Sequence, residues 1–96
     1  MSARETRMHA LLTAGLAPLE CRIDDDSAKH AGHAGAASGG GHYRLHLVSA
    51  AFEGKNRVTR HRLVYDCLAD MMHTDIHALA IHAFAPSELH NQAQPG

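Results

Sequence analysis

Ninety-six residues leave room for one domain around one modest core, and a composition that is 45% hydrophobic and 20% charged is that of an ordinary globular chain. The formal net charge of -1 excludes a whole-molecule field that would draw the chain to nucleic acid or to an anionic membrane. Any such binding has to come from a local patch.

Ser2-Ala3-Arg4-Glu5 has the form of a capping box, and Met8, Leu11 and Leu12 follow as an apolar stripe. The chain therefore opens with a short helix, which Gly15 is placed to stop. Met1 to Leu12 lacks a signal-peptide core and no apolar run is long enough to span a bilayer, so a cytoplasmic location is expected. After Pro18, Leu19, Cys21 and Ile23 alternate with polar residues as in a half-buried strand, ended by Asp24, Asp25, Asp26 and Ser27. Residues 27–41 hold five Gly, five Ala and no large apolar side chain, which predicts a flexible loop. His30 and His33 stand within it and His42 closes it. From His42 to Val48 the period is two, with Tyr43, Leu45 and Leu47 inward, a strand that pairs most simply antiparallel with the first.

A turn at Glu53-Gly54 leads into a basic-headed helix over residues 57–72. His61, Val64, Tyr65, Leu68 and Met72 share one face of it, while Arg57, Arg60 and Arg62 are expected in water. After His73-Thr74-Asp75 the period returns to two. In the strand Ile76 to Phe84, His77, Leu79, Ile81 and Ala83 share one face. Ala78 and Ala80 share the other with Ile76 and Phe84. Pro86-Ser87-Glu88 starts a last short helix, and residues 91–96 read as a frayed tail. The order is α-β-β-α-β-α, an α/β (α+β) domain over residues 1–96, with a three-stranded mixed sheet and helices on one face.

Three stretches are specific. Val48-Ser49-Ala50-Ala51-Phe52-Glu53-Gly54, then Arg60 to Tyr65 (R-H-R-L-V-Y), then Ile76 to Ile81 (I-H-A-L-A-I) follow one another in an order that resembles the BolA family. The segment Asp26 to His30 and the Gly-Gly-x-His-aromatic approach to the second strand match as well, so the resemblance runs from about Arg4 to Glu88. It implies a class II KH-like fold. It also implies two functional traditions: pairing with a monothiol glutaredoxin around a shared [2Fe-2S] cluster, or DNA-binding regulation of cell shape and stress responses. The family's ligand positions carry over to His77 and His30. His33 is an additional loop histidine, which leaves the loop ligand open.

The residues themselves bear on these roles. Ten histidines are several times the usual number, and His77 opens its strand at the mouth of the sheet, to which the loop bearing His30 and His33 returns. Imidazoles are sound ligands for one iron of a [2Fe-2S] cluster and raise its potential relative to thiolate. With Cys21 and Cys67 placed inside elements as small hydrophobes, this chain offers no nearby thiolate. A cluster is then best shared, with thiolates from a partner, which the resemblance implies to be glutaredoxin with glutathione. His30-x-x-His33 alone falls short of the three or four ligands zinc takes.

His61 follows the apolar stripe and reads as structural, a semi-buried imidazole bonded to backbone. Lys55, Arg57, Arg60 and Arg62 form the one basic patch, open to DNA, to an acidic partner, to glutathione, or simply to water. Gly32-His33-Ala34-Gly35 spells G-x-x-G, but between strands rather than between two helices, where an RNA-clamping motif belongs. No constellation supports catalysis. A free edge strand permits a weak homodimer beside a monomer. The leading expectation is a non-enzymatic adaptor for a monothiol glutaredoxin; the alternative is a DNA-binding regulator using the basic helix.

Overall fold

A computed structural model of the chain describes residues 2–27 and 40–93. Its first helix, α1 (Ala3–Leu16), begins at the expected capping box: the Glu5 amide donates to Ser2 Oγ at 3.1 Å. Gly15 does not stop it. That position lies inside the helix, where a Cβ would collide with Cys67 Sγ, and Ala17 takes the left-handed turn (φ 43°) just before Pro18. A glycine read as a stop is a close-packing position instead.

Strand β1 (Glu20–Asp25) pairs antiparallel with β2 (Gly41–Val48), and β2 pairs parallel with β3 (Ile76–Phe84). The sheet is therefore mixed, in the order β1-β2-β3. Leu19 lies ahead of β1 and is 71% exposed, so the inward alternation of that strand rests on Cys21 and Ile23. Of the expected loop, residues 28–39 lie outside the described residues, and Gly41 is already part of β2.

Helix α2 (Arg57–Cys67) is shorter than the expected span to residue 72. It gives way to a 3-10 turn over Ala69–Met71. Three residues per turn, rather than 3.6, bring Met71 instead of Met72 beneath Leu68. The buried stripe is therefore Val64, Leu68 and Met71, while Tyr65 stays 40% exposed. Helix α3 (Pro86–Ala93) starts where expected but continues through Ala93, past the start of the supposed tail.

α1 and α2 cover one sheet face. Met8, Leu12, Tyr43, Leu45, Leu47, Phe52, Val64 and Leu68 make the core. Ser49 is a fully buried polar residue at its centre. Its Oγ donates to Leu16 O at 2.6 Å and accepts from the Ala51 amide at 3.1 Å, while its own amide donates to Phe84 O at 3.0 Å. Ser49 thus ties the end of α1, through its hydroxyl, and the end of β3, through its amide, to the end of β2. Phe52 is fully buried beside it, and Gly54 adopts φ 72° at the turn, a conformation glycine takes without strain. The V-S-x-x-F-x-G stretch is thereby explained as a structural joint.

Candidate functional site

His77 does not share the Leu79 face. Gly41 stands opposite Ile76 and His42 opposite Ala78, so His77 is an extra residue, a bulge in the ladder. The bulge resets the alternation: Ile76 is buried, His77 and Ala78 are both exposed, and Leu79 turns inward again. Its consequence is to place the His77 ring against His42, with ring centroids 5.1 Å apart. In the sequence His42 closes the loop and belongs to the Gly-Gly-x-His-aromatic match, without a place assigned beside His77. The glycines before it, Gly40 and Gly41, were the available signal.

The same end of the sheet anchors both ends of the 28–39 segment. Gly40 runs directly over His77, where a Cβ would come within 2.8 Å of the His77 Cβ. The Gly41 amide donates to Asp75 O at 3.0 Å, and the His42 amide to Ser27 Oγ at 3.1 Å. Ser27 in turn donates its amide to Asp25 Oδ1 at 2.8 Å, and the Ser27 hydrogen bonds lower the Asp25 carboxyl pKa below its ordinary value. Arg44 pairs with Asp26 at 2.8 Å. His30 and His33 lie outside the described residues; Ser27, the last described residue before them, bonds the His42 amide, and Gly40, the first after them, lies against His77.

The described donors beside His77 are imidazoles rather than thiolates. Among the described residues, no three His, Cys, Asp or Glu side chains converge on a metal position. Cys21 pairs with Leu47, and Cys67 packs on Gly15; burial raises both thiol pKa values, so neither is a ready thiolate. Imidazole is what this end of the molecule offers.

The opposite end of β3 holds the basic residues, and one of them is not in water. The Arg60 side chain is only 12% exposed. It donates to Glu88 through both terminal nitrogens at 2.6 and 3.0 Å, to Ala83 O at 3.1 Å and to Lys55 O at 2.8 Å. Glu88 also accepts from the Ala85 amide at 2.8 Å, reaching back to cap α3. This charge-assisted set holds the Glu88 carboxyl down at about 2, chiefly through Arg60. Arg60 thus leaves the patch and becomes a clamp.

Lys55, Arg57 and Arg62 remain. Among the described residues they make no ion pair, whereas Arg4, Arg7, Arg22, Arg44 and Arg60 each have a carboxylate partner. His61 is half-buried and lines a groove of about 560 Å³ with Lys55, Arg57 and the last residues of β3. Its expected backbone hydrogen bond is not present among the described residues.

A three-stranded mixed sheet, helices on one face and a bulged histidine at the sheet mouth define a small α+β domain of the BolA type. A profile of the family described as "BolA-like protein" matches residues 12–88, and the chain belongs to that family. It is 40% identical over 94 residues to SufE-like protein 1, chloroplastic/mitochondrial, of Arabidopsis thaliana (93% of this chain, 25% of that protein). It is 44% identical over 88 residues to Protein BOLA1, chloroplastic, of the same plant (88% of this chain, 55% of that protein). With the DNA-binding transcriptional regulator BolA of Escherichia coli (strain K12) it shares 36% identity over 88 residues (92% and 80%). The chain thus spans a quarter and about half of the two plant relatives. Among solved structures, the BolA domain of SufE1 from Arabidopsis thaliana superposes with a TM-score of 0.81 at 41% identity, covering 92% of this chain and 98% of that one. Among the described residues no helix is long and apolar enough to cross a membrane.

Proposed function

We propose that this protein is a non-enzymatic adaptor that binds a monothiol glutaredoxin and co-ligates a [2Fe-2S] cluster, serving iron-sulfur cluster maturation and iron homeostasis. The observation that carries this reading is the bulge that turns His77 outward beside Gly40 and His42, with Ser27, the last described residue before His30 and His33, bonded to the His42 amide. His77 and one loop histidine, His30 or His33, would hold one iron, and His42 beside His77 limits the room in which that ring can turn. Glutaredoxin and glutathione would provide the thiolates this chain lacks. When bound, the cluster supplies a redox-active iron pair whose potential is raised by imidazole ligation. The test is visible absorption and circular dichroism of the protein co-purified anaerobically with a monothiol glutaredoxin and glutathione. A spectrum distinct from that of glutaredoxin alone, reverting to it in His77→Ala, supports the reading; an identical spectrum for wild type contradicts it.

A second reading rests on Lys55, Arg57 and Arg62, the cations left without carboxylate partners among the described residues, and on the relative in Escherichia coli named as a DNA-binding transcriptional regulator. Here the head of α2 lies against DNA phosphates. Three contacts give affinity that falls steeply between low and physiological salt, whereas cluster ligation does not. Salt dependence separates the two readings.

A further inference from the structure

The groove beside α2 runs along a strand edge with no strand partner. Among the described residues β3 pairs with β2 alone. Phe84 O accepts from Ser49 at the end of β2, so the even-numbered residues of β3 direct their backbone groups toward β2. The odd-numbered residues direct theirs toward the free edge, as the capture of Ala83 O by Arg60 illustrates. Leu79 and Ile81 therefore present amides and carbonyls along the free edge, Ile81 within the groove and Leu79 beyond its end, and an unpaired edge of this kind is a template for another strand.

We propose that this edge takes up an acidic, extended segment of a partner protein as a fourth strand. Three features set the terms. Arg60 occupies Ala83 O and closes the far end, so pairing is limited to Leu79 and Ile81 and fixes the register of the incoming segment. On the helix side the groove is walled by Lys55 and Arg57, neither with a carboxylate partner among the described residues, so alternate side chains of the guest meet positive charge. On the open sheet face Ala78 and Ala80 are small and exposed, leaving room for larger apolar side chains at the intervening positions. The guest is thus an alternation of acidic and apolar residues, bound by strand addition.

A second copy of this chain fits poorly, because pairing two such edges would bring Lys55 and Arg57 of both copies together. Nucleic acid would use the cations but has no backbone amides to pair with Leu79 and Ile81. The basic groove at Ile81–Phe84 lies away from His77, whereas Ala78 and Leu79 adjoin His42. This inference does not depend on the cluster reading.

The experiment is a nitrogen-15 correlation titration of the full chain with a blocked hexapeptide of alternating glutamate and valine. Controls are the same peptide N-methylated at every amide and a six-nucleotide oligodeoxythymidine. The expected result is shifts centred on Leu79, Ile81 and His61, slowed exchange of the Ile81 amide, and no binding of the methylated peptide. Lys55→Glu with Arg57→Glu should weaken binding about tenfold or more while leaving the rest of the spectrum intact. Equal binding of the methylated peptide, stronger perturbation of the same amides by the oligonucleotide, self-association without peptide, or no shift at all would each overturn the proposal.

Discussion

The two ends of β3 are built by opposite rules. At its C-terminal end one charged pair is fully engaged: Arg60 is spread across Glu88, Ala83 O and Lys55 O, and Glu88 reaches back to the Ala85 amide. At its N-terminal end the ladder is broken by one extra residue, and an imidazole is turned out of the sheet beside a second one. One end spends its side chains on holding α2, β3 and α3 together. The other leaves the His77 imidazole exposed beside Gly40. The clamp serves stability and the proposed ligation uses the other end, so substitutions should separate the two properties.

The largest separation is expected from His77→Ala. It should remove the partner-dependent cluster spectrum entirely while shifting folding stability, read by chemical denaturation, by no more than about 0.5 kcal/mol, because the side chain is exposed. Ser49→Ala should do the reverse. It strips Leu16 O of its buried donor and should cost about 1–3 kcal/mol of stability, while the cluster spectrum of the folded fraction is retained. A smaller effect is expected for Arg60→Ala, measured as a lowered Tm with the cluster spectrum unchanged, since the clamp lies at the far end of the strand.

The smallest is a pH effect. The Glu88 carboxyl is lowered from 4.5 to about 2 in the folded chain. A depressed carboxylate stabilises the fold above its unfolded value and loses that contribution as pH falls through the folded one. Between pH 4.5 and about 2 the wild type should therefore lose stability more steeply than Glu88→Gln. Parallel acid titrations of Tm for the two proteins check this. Equal slopes would mean that Arg60 and Glu88 do not pair in solution.

Much of this contrast was legible in the chain. The capping box at Ser2, the period-two strands and the glycine turn at Gly54 are local signals, and local chemistry decided them. What escaped was decided by partners distant in sequence. Arg60 sits on a basic helix head and reads as solvated until Glu88, 28 residues on, is found opposite it. Gly15 reads as a stop because its reason, Cys67, lies on another helix. The face of His77 was misjudged because periodicity assumes an unbroken ladder, and one bulged residue inverts every parity on one side of it. That single inversion moved the candidate ligand from the face of Leu79 and Ile81 to the side of His42.

The most direct test of the claim that the bulged end of β3 is a ligating end is pulsed electron paramagnetic resonance of the reduced cluster. The complex would contain this chain labelled with nitrogen-15 histidine and an unlabelled monothiol glutaredoxin. The account predicts nitrogen-15 couplings of directly bound imidazole, diminished or lost in His77→Ala. A cluster showing no histidine coupling from the labelled chain would contradict it.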